Sequence, residues 1–166
     1  MLTLAITQTH CWLKYSGSSN NWIKGSHNHL RGDHNGIRGH YNHVNGDKNG
    51  VDGNFNGVFG GKNFLHGDAN SVGGWGNKVG GDFNNVRGDV NRLHGNANNV
   101  HGSANDVIGH VNGVRGNQNA VKGNYNGVWG SNNAVWGSGN GVKGYYNGVI
   151  GSGNGVHGNF NGVVGH

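Results

Sequence analysis

A glycine stands at every seventh residue from Gly25 to Gly165, and the residues between follow one rule, Gly-x-x-Asn-x-Val-x. The fourth place is asparagine in all 20 complete units, from Asn28, Asn35, Asn42 and Asn49 to Asn161. The sixth place is always aliphatic, from Leu30 and Ile37 through Val44, Val51 and Val58 to Val163. A register held over so many units means that one short structural step is stacked on itself.

The period and the glycine content remove the competing architectures. A coiled coil needs two apolar places per heptad, and here only one is reliably aliphatic. Each glycine costs a helix interior about 1 kcal/mol, and this chain has 37. Collagen needs glycine at every third residue, together with proline, and the chain has no proline. Disorder requires no phase, whereas this sequence keeps one throughout.

Read as strand and turn, the unit is coherent. Asparagine, the aliphatic residue and the next glycine are spaced by two and so share one face of a short strand. Glycine permits a tight corner at positive φ, and the Asp or Asn that often follows it (Asp33, Asp47, Asp82, Asn96, Asn124) forms turns readily. Two units make a flattened 14-residue coil with two faces, so alternate units stack. The expected fold is all-β: a single parallel β-solenoid of about ten coils, roughly 50 Å long at ~4.8 Å per coil. Asparagine and valine ladders line its interior, each amide bonding the one above and below.

Two segments are expected. Residues 1–17 lie outside the repeat, and Leu2, Leu4 and Ile6 alternate with polar or small residues as in a strand or cap. Residues 18–166 form the solenoid, opened by a degenerate unit that already has Asn21 and Ile23 in place. Solenoid ends present unpaired backbone over an apolar core and are normally capped. The repeat stops at Gly165-His166, which suggests a fragment or an end covered by another copy. Leu2, Leu4 and Ile6 at one end, with Val156 and Val163 at the other, are the candidate end contacts.

Composition limits the rest. Twelve Lys and Arg against seven acidic residues, all aspartate, permit anionic partners without demanding them. Cys11 is the one cysteine, so no disulfide framework is expected. The opening residues lack the basic and apolar regions of a signal peptide, and no stretch is long enough to span a membrane. No asparagine begins a glycosylation sequon.

The units Gly116-Asn-Gln-Asn119-Ala-Val121-Lys and Gly130-Ser-Asn-Asn133-Ala-Val135-Trp resemble the x-x-Asn-x-Val-x-Gly repeat of the grass ice-recrystallisation-inhibition (antifreeze) proteins, over residues 18–165. More distantly, the repeat resembles the β-roll heads of trimeric autotransporter adhesins. The resemblance implies a left-handed β-roll, an ice-binding face, and an extracellular or cell-surface location. The family's ice face is an array of small Thr, Ser and Val side chains beside the inward Val. Here the flanking fifth and seventh places hold no threonine and include Arg38, Arg87, Lys122, Trp129 and Trp136.

Among the chemistry-bearing residues, His29 and His43 share a place in alternate units and should lie one coil apart, about 5 Å. They could offer two ligands to Zn²⁺ or Cu²⁺, but no third is implied, and surface histidine is the plainer reading. Asp33 with Asp47, and Asp68 with Asp82, should stack at corners, as turn formers rather than as a Ca²⁺ site. Gly137-Ser-Gly139-Asn-Gly141 looks like a phosphate loop but lacks the strand-to-helix context. No Ser–His–Asp set converges by phase, so neither enzymatic activity nor a cofactor or metal is expected.

His27, Tyr41 and Phe55 should form one aromatic column, Tyr146 and Phe160 another, and Trp129 and Trp136 should lie on opposite faces. These are the candidate surface contacts, for sugars or bases, or simply stiffening ladders. The leading expectation is a non-enzymatic structural repeat protein that assembles with itself through its ends into fibres or arrays. Ice binding is the second expectation, and adhesion to a glycan or polyanion the third. Arg and Lys appear scattered along the sequence, so nucleic acid is not an expected partner.

Overall fold

The computed structural model describes residues 5–6, 14–16 and 20–165. Within these, 23 short strands form two parallel sheets of 12 and 11 strands. Successive strands alternate between the sheets. Trp22–Lys24 pairs with Gly36–Arg38 in the larger sheet, while His29–Arg31 pairs with His43–Asn45 in the smaller. The fold is therefore a parallel β-solenoid with two heptads per coil and about ten coils. No helix occurs among the described residues, and so none long and apolar enough to cross a membrane.

From Trp22–Lys24 onward each strand covers the fifth, sixth and seventh places, and in all but the last the middle residue alone is buried. One aliphatic side chain from each sheet enters the interior in every coil, giving a continuous thin core from Ile23 to Val156, with Val163 packed partly against it. Burying each of these side chains contributes about 1.5–3 kcal/mol. In-register stacking, such as Val100 on Val114 and Val107 on Val121, keeps like residues in contact along the rod.

The corner uses two left-handed residues, where the sequence suggested one. Glycine at the first place has φ near +130°, as at Gly95 (134°), a region closed to other residues. A methyl group at Gly95 would also overlap the carbonyl oxygen of Gly109 in the next coil. Wherever the third place is not glycine its φ is 55 to 60°, and it accepts nearly any side chain, including Tyr41, Phe55, Val90 and Val111. L-residues tolerate this conformation at a cost of roughly 1–2 kcal/mol, and the stacked neighbours hold them there.

The second place explains the preference for short polar residues after glycine. The Asp47 carboxylate accepts the backbone N–H of Asp33 at 2.7 Å, Asp82 accepts that of Asp68 at 2.8 Å, and Asn117 that of Ser103 at 2.8 Å. The role is a cap passed from one coil to the preceding one, rather than a turn within the unit.

Outside the repeat, Ala5–Ile6 pairs with the strand at Trp22, and Lys14–Ser16 pairs in parallel with His29–Arg31. The backbone of both sheets thus continues into the leading segment, which contributes Ile6 opposite Ile23. Leu2 and Leu4, grouped with Ile6 as end contacts, lie outside the described residues.

Candidate functional site

The interior amides are fully engaged with the fold. Asn119 donates from Nδ2 to the Gly130 carbonyl at 2.8 Å and to Asn105 Oδ1 at 3.1 Å. Its own Oδ1 accepts the Asn133 backbone N–H at 3.1 Å and Asn133 Nδ2 at 3.0 Å. Asn28, Asn35, Asn42 and Asn49 stand in the same buried ladder, and Val44, Val51 and Val58 in the core beside it. None of these groups faces solvent, so recognition must come from the outward columns.

Two of those columns are aromatic and lie at opposite corners. His27 stacks on Tyr41 with centroids 4.5 Å apart, and Tyr41 on Phe55 at 5.0 Å. Tyr146 stacks on Phe160 at 5.1 Å. Their rings are nearly parallel, so each covers a face of its neighbour and leaves the edges to water.

His29 and His43 meet edge to face at 4.5 Å, and His43 lies 5.4 Å from Phe59. Burial, and secondarily the charge of His29, holds His43 below the ordinary histidine pKa. Among the described residues no group of three His, Cys, Asp or Glu gathers in metal-binding distance.

The two sheets differ in their outer faces. On the 12-stranded sheet, Asp52 lies 4.0 Å from Arg38 and 3.5 Å from His66, so Arg38 has an acidic neighbour. Further along, the same sheet turns apolar. Trp136, Ile150 and Val164 follow one another in register, 52%, 48% and 84% exposed. Beside them run Ala134, Gly148 and Gly162, which add no bulk.

On the 11-stranded sheet the seventh-place column reads Arg87, His101, Arg115, Trp129, Lys143, His157 in unbroken register. The adjoining column ends in four consecutive glycines, Gly113, Gly127, Gly141 and Gly155. Two shallow depressions of about 360 and 380 Å³ lie along it, and Trp129 forms the wall between them. Reading Arg and Lys in chain order hides this stripe. Sampling every fourteenth residue from Arg87 reveals it, and the two-sheet topology is what justifies that step.

Comparison with protein-family models gives no match, and neither does comparison with curated protein sequences.

Proposed function

We propose that this chain is a non-enzymatic structural rod that packs side by side with a second copy of itself. The observation carrying this reading is the apolar strip Trp136–Ile150–Val164 beside Ala134, Gly148 and Gly162. It carries no charge and follows the straight register of the sheet. A second copy brings the same coil spacing of ~4.8 Å, so two strips match over several coils without adjustment. A strip meeting the same strip of a second copy is an isologous contact, which closes as a two-fold pair.

Ice binding has weaker support. The repeat holds no threonine, and long Arg, Lys and Trp side chains stand on both sheets where a planar surface would be needed.

Sedimentation and electron microscopy of the purified chain test the proposal. The expected result is a concentration-dependent side-by-side pair of rods, dispersed by Ile150→Lys with Trp136→Lys. Both positions point outward, so the fold should survive. A monomer insensitive to dilution at micromolar concentration overturns the reading, and single-file fibres unaffected by the two lysines would replace it with end-to-end growth.

A further inference from the structure

From the outer face of the 11-stranded sheet, we infer that the stripe from Arg87 to His157 binds an extended acidic polysaccharide. The stripe is independent of the apolar strip, which lies on the opposite sheet.

Charge comes first. Arg87, Arg115 and Lys143 occupy every second step of one straight column. No aspartate stands on the outward places of this sheet, and residues 107–166 contain no acidic residue at all. The nearest carboxylates along the column, Asp82 and Asp89, sit at the corners, where each accepts a backbone N–H from the preceding coil at 2.8 and 2.7 Å. The three cations are thus left to an external anion.

Shape comes second. Gly113, Gly127, Gly141 and Gly155 have ordinary extended backbone, and a Cβ at any of them would meet no atom within 4 Å. The fold does not require glycine there, and glycine weakens a strand. Four in succession form an open shelf alongside the cations, long enough for a linear chain. Trp129 stands in the middle of the column, 57% exposed, between depressions lined on one side by Arg115 and His101 and on the other by Lys143, Tyr145 and His157. An indole beside a cation fits a sugar ring, whose C–H face packs on the aromatic surface while its acid group meets the charge. The imidazoles of His101 and His157 add ring N–H donors for hydroxyls.

Spacing decides between polyanions. The permanent cations recur every two coils, about 10 Å. A nucleic-acid strand carries a phosphate on every nucleotide, about 3.4 Å apart along the axis of duplex DNA and so denser than one charge per two coils. A glycan with one carboxylate or sulfate on alternate sugars repeats its charge over a distance of the same order as two coils. The single tryptophan also suits a sugar better than a run of bases, which would need successive stacking platforms.

The test is calorimetric titration of the full chain with hyaluronate, one carboxylate per disaccharide, and with kappa-carrageenan, one sulfate per disaccharide, the two separating carboxylate from sulfate preference, and with dextran and single-stranded DNA as comparisons. The expected result is binding to at least one acidic glycan, weakened by salt, with none to dextran and weaker binding to DNA. Arg115→Ser with Lys143→Ser should reduce affinity roughly tenfold or more and flatten the salt dependence by about two counterions. Gly127→Thr should block the shelf while leaving the melting temperature equal or higher, which separates loss of binding from loss of fold. Lys122→Ser and Trp136→Lys, on the other sheet, should leave binding unchanged even where they abolish self-assembly. The inference is overturned by absence of binding to both acidic glycans, by tighter binding to DNA, or by equal losses from substitutions on the two sheets.

Discussion

Asn117 and Asn119 are two residues apart, identical in type, and both belong to ladders that repeat once per coil. Asn119 is buried, and its amide makes four hydrogen bonds, two donated and two accepted. Asn117 is exposed at the corner, where its oxygen accepts one backbone N–H, from Ser103. The corner column tolerates substitution accordingly. Ser131 caps Asn117, and His110 caps Asn96, in the place where Asp47 caps Asp33. The inner column has no such latitude, because only a primary amide of this length supplies donor and acceptor together. Invariance in this repeat follows the number of obligations a side chain carries, not the fact of stacking.

The contrast breaks most visibly if the two asparagines are exchanged for the same residue. Asn119→Ser should remove the amide donors and the Oδ1 acceptor, leave the Gly130 carbonyl and the Asn133 backbone N–H unpaired in the interior, and cost about 3 kcal/mol or more. Urea denaturation would measure it, and a loss under ~1 kcal/mol would mean that water replaces the amide. A corner residue with the wrong backbone preference should move stability the other way. Val90, β-branched and exposed, sits at φ 58°, so Val90→Asn should stabilise by about 1 kcal/mol, seen as a raised urea midpoint. Asn117→Ser keeps the single acceptor and should fall within ~0.5 kcal/mol of the parent.

The smallest effect lies on neither ladder. His43 has its pKa lowered in the fold, so the folded chain takes up that proton less readily than the unfolded chain. Its contribution is constant at higher pH, and stability declines as the pH falls below the ordinary value of 6.5. Thermal melts across that range should show a shallower acid decline for His43→Gln than for the parent chain. Equal slopes would show that His43 contributes nothing to the pH dependence.

Much of the fold was legible before any coordinates. A single invariant asparagine and a single aliphatic place per heptad imply short strands, two faces and a shared core, and Ile37 on Val51 or Val100 on Val114 are the contacts that phase predicts. The third-place left-handed residues were not legible. Phe83 and Val111 carry no propensity for that conformation, and it arises because the coils on either side fix the corner's path. The corner caps were half legible: Asp and Asn announce a turn, but the N–H they accept belongs to another coil. The outer stripe was hidden for a similar reason. Arg87, Arg115 and Lys143 are 28 residues apart in succession, and no local pattern connects them.

Spacing within one unit is enough to set the period, the strand face and the identity of the interior ladders, since these depend on local phase and on which side chains satisfy a buried backbone. The tertiary structure alone decided which distant residues become neighbours. Stacking by coils turns a separation of 14 residues into a single inter-strand distance, so the surface is ordered by columns that cross the chain. Polar and apolar faces, caps and shelf all belong to those columns.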